Sequence, residues 1–381
     1  MQKNWKACIC MDKRLSNEGN ACVEKIIFFL PNLSSGGAER VVSILSRELS
    51  KRDYDVSIAV LNDNNRAYAI EEKVSVNIFG GHGTLGKIKR TIKLNKFLKQ
   101  QGRCVVFAFH PVCLKYAIAA STGTKCSVVA CERNDPYSLY QTPNEAARIK
   151  RLYRKAAYAV FQTEDARNFY GVDLEGKSRI IINPILPPKT TWKGNINKHR
   201  IVSVCRLEKQ KNLFMAIDAM KSLKDDYKIA FSYDVFGRGE LEADLKTYCV
   251  QQGLEQDVHF KGVTNEVIEE LADSSLFISS SDFEGISNSM LEALSVGMPV
   301  ICTDCPIGGA KMAIDDGVNG YLVPVGNADA LAKKIYEVFT NNALSIQIGQ
   351  EALKSSAKWS VDKVTEEWAQ VCQTIFSLPH R

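Results

Sequence analysis

Four charged side chains in the second half of the chain stand where they could hold a diphosphate and the hydroxyl groups attached to it. Arg206 and Lys211 are close in sequence, and Glu284 and Glu292 are eight residues apart. A guanidinium fork and an ammonium both suit phosphate oxygens. Carboxylates repel an anion, so Glu284 and Glu292 would instead accept hydrogen bonds from a ribose or a sugar. The backbone between them fits this reading. The apolar run Leu276, Phe277 and Ile278 reads as a buried strand. Beyond Gly285, Ile286, Met290, Leu291 and Leu294 recur at helical spacing until Gly297 and Pro299 end the helix. A helix that opens at the carboxyl edge of a sheet turns unpaired N–H groups and a partial positive charge toward a ligand, and such a place attracts phosphate. The plain alternative is four solvated charges, with Glu284 in a loop and Glu292 on a helix surface.

The elements that would position these groups follow a βα rhythm. Ile26–Leu30, Val56–Leu61, Val74–Phe79, Val105–Phe109, Cys126–Cys131, Ala156–Phe161 and Arg179–Ile182 read as strands of a first unit. A second unit takes Ile201–Cys205, Ile229–Phe236, Val258–Phe260, Leu276–Ser279 and Val300–Cys302. Short apolar strands, each followed by a helix-length segment, predict an α/β protein of two doubly wound, Rossmann-like parallel domains facing across a cleft. The expected boundaries are a tail over 1–24, a first domain over 25–182, a proline-rich linker over 183–197, a second domain over 198–358, and a C-terminal helix over 359–381 that returns to the first domain.

Further candidates lie at the ends of these strands. Gly36 and Gly37 follow the first one and permit close backbone approach to a ligand, although a tight turn explains them equally well. They form neither the dinucleotide pattern nor a P-loop, which argues against a hydride-transfer enzyme. His110, held extended by Pro111, sits at a strand end where a parallel sheet presents residues to ligand, or else is structural. Glu132, Arg133 and Asn134 follow the strand Cys126–Cys131, with Arg133 expected to contact the acceptor or the membrane, and Gly237 lies in a glycine turn that could line a nucleotide pocket.

Composition excludes several classes. With 45% apolar and 24% charged residues the chain is an ordinary globular one, and 381 residues exceed a single core. No apolar run reaches the roughly 18 residues of a spanning helix. Twelve cysteines without a repeated frame predict buried or free thiols, and Cys302 with Cys305 lacks a second pair to complete a metal site. The reading is cytoplasmic, with no metal and no nucleic acid. Charge is uneven: residues 1–195 carry 31 Lys+Arg against 17 Asp+Glu, and residues 196–381 carry 18 against 26. Lys87, Lys89, Arg90, Lys93, Lys96 and Lys99 fall on one helix without an acid, interleaved with Ile88, Ile92, Leu94, Phe97 and Leu98. Arg148, Lys150, Arg151, Arg154 and Lys155 form a second basic cluster. Docking on the anionic inner face of the cell membrane is the expected use of this domain, against a merely solvated helix face.

The ordered set Arg206, Lys211, Glu284 and Glu292, with Gly36, Gly37, Ala38, Glu39 and Arg40, His110, and Gly317 to Pro324, resembles the GT-B glycosyltransferases of family 4 from Lys25 to about Ser377. The resemblance implies retaining transfer of a hexose or N-acetylhexosamine from a nucleotide-sugar, with a UDP-sugar favoured, to a glycan acceptor, often lipid-linked, in polysaccharide or glycan assembly. It implies that Arg206, Lys211 and the N–H groups of Ile286, Ser287 and Asn288 neutralise the leaving diphosphate without metal or cofactor. By the same resemblance Glu292 holds the ribose, Glu284 and His110 meet the donor sugar, and Gly36 and Gly37 close over the phosphates. Segment Cys305 to Met312 departs from the family pattern, which bears on sugar identity. A nucleotide-sugar epimerase of the same fold and a non-catalytic nucleotide-sugar-binding module are the competing readings; the first would convert donor without acceptor, and the second would bind without turnover.

Overall fold

The structure is a computed structural model that describes residues 24–34, 36–62, 66–81 and 83–377. The expected tail lies, apart from Glu24, outside the described residues.

The first sheet contains β1 (Lys25–Leu30), β2 (Asp55–Val60), β3 (Ser75–Ile78), β4 (Cys104–Ala108), β5 (Cys126–Cys131), β6 (Tyr158–Phe161) and β7 (Ser178–Ile180). All pair in parallel, in the order β3-β2-β1-β4-β5-β6-β7. The second contains β8 (Arg200–Val204), β9 (Ser232–Phe236), β10 (Val258–Gly262), β11 (Leu276–Ser279), β12 (Val300–Thr303) and β13 (Tyr321–Val323), parallel in the order β10-β9-β8-β11-β12-β13. The strands are apolar almost throughout because helices cover both faces. β13 was not expected: its three residues lie inside a glycine-bounded loop and are too short to show a period.

In each sheet the strand order reverses once, between β1 and β4 in the first and between β8 and β11 in the second. A crevice opens beyond the carboxyl ends of the strands at such a point. The segments leaving β1 and β4 are those of Gly36 and His110. The segments leaving β8 and β11 are those of Arg206 and Glu284. Topology alone therefore puts the candidate residues at two facing crevices.

The chain crosses between the domains twice, and the crossings pair with each other. Ile185 N–H donates to the Trp359 carbonyl at 2.8 Å, and Val361 N–H donates to the Ile185 carbonyl at 2.9 Å. The last helix, Val361–Ser377, then lies on the first domain. Its Trp368 is fully buried, with ring centroids 5.1 Å from Phe107, 5.6 Å from Phe109 and 6.4 Å from Phe28. An aromatic ring buried this way is worth about 3–5 kcal/mol. The proline-rich segment is no loose linker either. Trp192 donates from Nε1 to the Ser274 carbonyl at 2.7 Å and packs against Gly349, which ties the segment to the second domain.

Two expectations need correction here. The parallel register of β4 and β5 sets Cys104 opposite Cys126, with Cα atoms 4.6 Å apart, and a disulfide joins them, so these two are not free thiols. Arg90 does not face outward with the lysines of its helix, Gly83–Gln101. It is 9% exposed, and its guanidinium donates to the Phe79 carbonyl (2.9 Å), the Gly81 carbonyl (2.7 Å) and the Tyr116 hydroxyl (3.2 Å). Lys87, Lys89 and Lys93 are exposed, and Lys93 reaches the Ile78 carbonyl at 2.9 Å.

Candidate functional site

The loops after β8 and β11 are stitched together before any ligand is considered. Asp282 N–H donates to the Gln210 carbonyl (2.9 Å), and Gln210 Nε2 donates to the Phe283 carbonyl (2.8 Å). Asn212, in the left-handed region at φ 41°, caps the helix Leu213–Asp225 and donates from Nδ2 to Asp282 at 2.6 Å. This lattice fixes Lys211 and Glu284 side by side. The Lys211 ammonium hydrogen-bonds the Glu284 carboxylate, and both side chains are largely buried. Burial works against the ammonium, but Glu284 outweighs it and holds Lys211 above the usual lysine range. Lys211 also lines a small pocket with Cys205, Ser280, Ser287 and Ser289. The cation and the start of the next helix thus share one space. Arg206 stands exposed at the edge, bonded to Glu208 at 2.8 Å.

That next helix spans Asn288–Val296, and Ser287 caps it by accepting from Met290 N–H at 3.3 Å. The first domain grips its approach. Gln162 Oε1 accepts from Ile286 N–H at 3.2 Å, so this amide is not free for an anion, contrary to its expected role. Asn183 Nδ2 donates to the Ile286 carbonyl (3.0 Å) and to Asn288 Oδ1 (2.7 Å), and Asn288 Nδ2 donates to the Gly37 carbonyl (3.3 Å). Gly285 packs so closely on the Arg133 carbonyl that a Cβ would come within 2.6 Å of it. One turn into the helix, Glu292 is buried and ion-paired with Arg40 of the first domain. Burial raises the Glu292 carboxyl, and Arg40 pulls it part of the way back.

From the first domain, His110 caps the helix Pro111–Ser121: its Nδ1 accepts from Val112 N–H at 3.2 Å. Burial lowers its pKa, so the ring is neutral near pH 7, and with Nδ1 accepting the proton sits on Nε2. Gly36 precedes the helix Gly37–Ser50, whose first turn faces Asn288. Burial raises Glu39 in that turn, while a backbone hydrogen bond and Arg206 lower it in part.

One more assignment changes. Arg133 is not a surface contact for acceptor or membrane. It bonds Asn183 and the Ile181 carbonyl (3.4 Å) and lies over Phe109 and Trp368, 5.4 and 5.9 Å from the ring centroids. Gly237, in the glycine turn after β9, is tightly packed. At φ 137° it packs under the Cys205 carbonyl, where a Cβ would overlap, and so supports the loop that carries Arg206. Cys302 and Cys305 are buried thiols, and burial pushes Cys305 up to about 12. No cluster suited to a metal ion occurs among the described residues.

Sequence reasoning missed Gln162, Asn183 and the partner of Arg40. Gln162 follows β6 at the carboxyl edge, the position that singled out His110, so the same rule would have flagged it. Asn183 stands just before Pro184 in a stretch read as linker, and nothing local marks it.

Residues 189–355 match the family described as Glycosyl transferases group 1. The chain is 23% identical to the amylovoran biosynthesis glycosyltransferase AmsD of Erwinia amylovora, over 91% of its own length and 99% of that protein. It is 27% identical to a Campylobacter jejuni 4-α-N-acetylgalactosaminyltransferase of diphospho-undecaprenol-linked glycans, over 88% and 94%. Among solved structures, Anabaena HepE in complex with UDP-glucose superposes with a TM-score of 0.80 at 20% identity, covering 93% of this chain and all of that one.

Proposed function

Because the chain is a GT-B glycosyltransferase whose second domain is of the group 1 type, we propose that it moves a hexose or N-acetylhexosamine from a UDP-sugar to a glycan acceptor carried on a lipid, in the assembly of a cell-surface polysaccharide, with retention of anomeric configuration. The observation that carries this reading is the shared pocket of Lys211 and the cap of the helix Asn288–Val296, flanked by Glu284 and Glu292. The α-linkage and lipid carrier in the Campylobacter jejuni relative's name, and UDP-glucose bound by Anabaena HepE, support the donor and acceptor classes.

In the proposed reaction the bond from C1 of the sugar to the β-phosphate oxygen breaks while the acceptor oxygen bonds C1 on the same face. The acceptor proton passes to the departing phosphate. Lys211 and Arg206 balance the charge that develops on the diphosphate, with the N–H groups of Ser287 and Asn288 at the helix end. Glu292 accepts from the ribose, Glu284 from the sugar, and neutral His110 offers Nε2–H. Fixed positive charge aimed at the leaving group contributes most to the rate, and the proposal needs no metal ion or other cofactor. The acceptor is met at the anionic inner face of the cell membrane through the basic first domain.

Replacing Lys211 by alanine removes one donor of this kind, so turnover of UDP-glucose or UDP-N-acetylglucosamine with a lipid extract as acceptor should fall by about 10²–10³. A thermal shift with UDP checks that the variant is folded. Full turnover in both Lys211→Ala and Arg206→Ala would overturn the mechanism.

A further inference from the structure

A buried carboxylate needs a partner, and Glu292 takes one from the opposite domain. Its side chain is 8% exposed, while that of Arg40, its partner, is 30% exposed. Arg40 is the fourth residue of the helix Gly37–Ser50, near the positive end of that helix, where a cation is disfavoured and Glu39 is the natural occupant. What Arg40 gains there is Glu292. The contact is one of two in step. Asn288 meets Gly37, and one turn further along both helices Glu292 meets Arg40. The opening turns of two helices, one from each domain, thus face each other across the crevice.

We infer that Arg40 is a placeholder for the nucleotide ribose: it pairs with Glu292, and the ribose hydroxyls must displace it. This rests on the assignment of Glu292 under the proposed function. Displacement trades a charged partner for two neutral hydroxyl donors, so part of the nucleotide's binding free energy goes into breaking the pair. Arg40 therefore sets donor affinity without touching the reacting atoms. The pair is also one of the rungs between the domains, so nucleotide uptake loosens that rung.

The test is UDP binding by calorimetry at pH 8.5 to the full chain and to Arg40→Met, Arg40→Lys and Glu292→Gln. Arg40→Met keeps length and loses charge, and should bind UDP about ten- to hundred-fold more tightly, the span of a charge-assisted hydrogen bond. Arg40→Lys should stay near wild type, and Glu292→Gln should bind more weakly. 2′,3′-Dideoxyuridine diphosphate should show no gain with Arg40→Met. Tyr68 also acts on Glu292 and is not cationic, so without Arg40 burial keeps the carboxyl raised and the gain should shrink as pH falls and Glu292 takes up a proton. Arg40→Gln serves if the methionine variant folds poorly. Unchanged or weaker UDP binding, or an equal gain for the dideoxy compound, overturns the inference while leaving the proposed function standing. Failure of every form, wild type included, to bind UDP overturns both.

Discussion

The helix Gly83–Gln101 turns two apolar rows in opposite directions. Leu94 and Leu98 enter the core, whereas Leu85, Ile88 and Ile92 are 74%, 55% and 51% exposed. These three fall at i, i+3 and i+7 and so form one outward stripe. Lys87, Lys89, Lys93, Lys96 and Lys99, all exposed, stand beside it. A solvated helix face has no use for such a stripe, but a headgroup layer of anionic lipid would accept both the stripe and the lysines. Burying a whole aliphatic side chain of this size gains about 1.5–3 kcal/mol. Scaled by the exposed fractions, Ile88 and Ile92 together supply about 2–3 kcal/mol. The double variant Ile88→Asp with Ile92→Asp should therefore lower partition onto vesicles about 30- to 150-fold by lost burial. Two added acids near an anionic surface lower it further, by about 1 kcal/mol each.

Flotation with vesicles containing one-third phosphatidylglycerol, set beside vesicles of phosphatidylcholine alone, measures this directly. Both positions are exposed, so the melting temperature should hardly move. Turnover of a water-soluble acceptor should be kept, while KM for a lipid-linked acceptor rises. If the double variant floats as wild type does, the stripe is not a membrane contact and the reasoning from exposure fails. If wild type floats equally on both vesicle types, the lysines contribute nothing and the argument from charge fails.

Arg90→Leu should destabilise the first domain by about 2–4 kcal/mol, because two carbonyls and the Tyr116 hydroxyl lose a charged donor; urea unfolding reads this, and a change below about 0.5 kcal/mol would contradict the buried assignment. Gly309→Ala would drive a Cβ into the Gly285 carbonyl and push the segment Cys305 to Met312 away from Glu284, so turnover should fall at least tenfold while UDP affinity changes little, as steady-state kinetics with calorimetry would establish.

The parts legible from sequence were those written in short-range pattern. β5 and β11 match the predicted limits because a charged or polar residue follows the apolar stretch of each, residues 128–131 and residues 276–278. The crevice followed from which residues leave which strands. Arg90 was misread although its spacing carried the answer: it shares the i, i+4, i+8 row with Leu94 and Leu98, the row that enters the core. Counting basic residues along the helix hid what its period shows. Arg133, Asn183 and Gln162 were not legible in this way. Their partners lie in the opposite domain or at the crossing between domains, and no local period encodes a contact between residues 183 and 288. The Cys104–Cys126 pairing likewise depends on strand register, which apolar runs do not reveal.

Two groups that a nucleotide-sugar would use under the proposed function are already paired within the protein: Lys211 with Glu284 and Glu292 with Arg40. Binding at such a site is an exchange, and an exchanged hydrogen bond contributes little net free energy, whereas a group left unpaired is costly. Selectivity then falls on what each ligand leaves behind. A diphosphate that draws Lys211 away strands the Glu284 carboxylate, whose side chain is only 20% exposed. Hydroxyls of an attached sugar can take the place of the lost cation at Glu284; a nucleotide without its sugar cannot. Under the proposed function these two pairs would also distinguish the intact donor from the spent nucleotide. Under that reading, the return of Lys211 to Glu284 and of Arg40 to Glu292 once the sugar has left would favour release of the diphosphate.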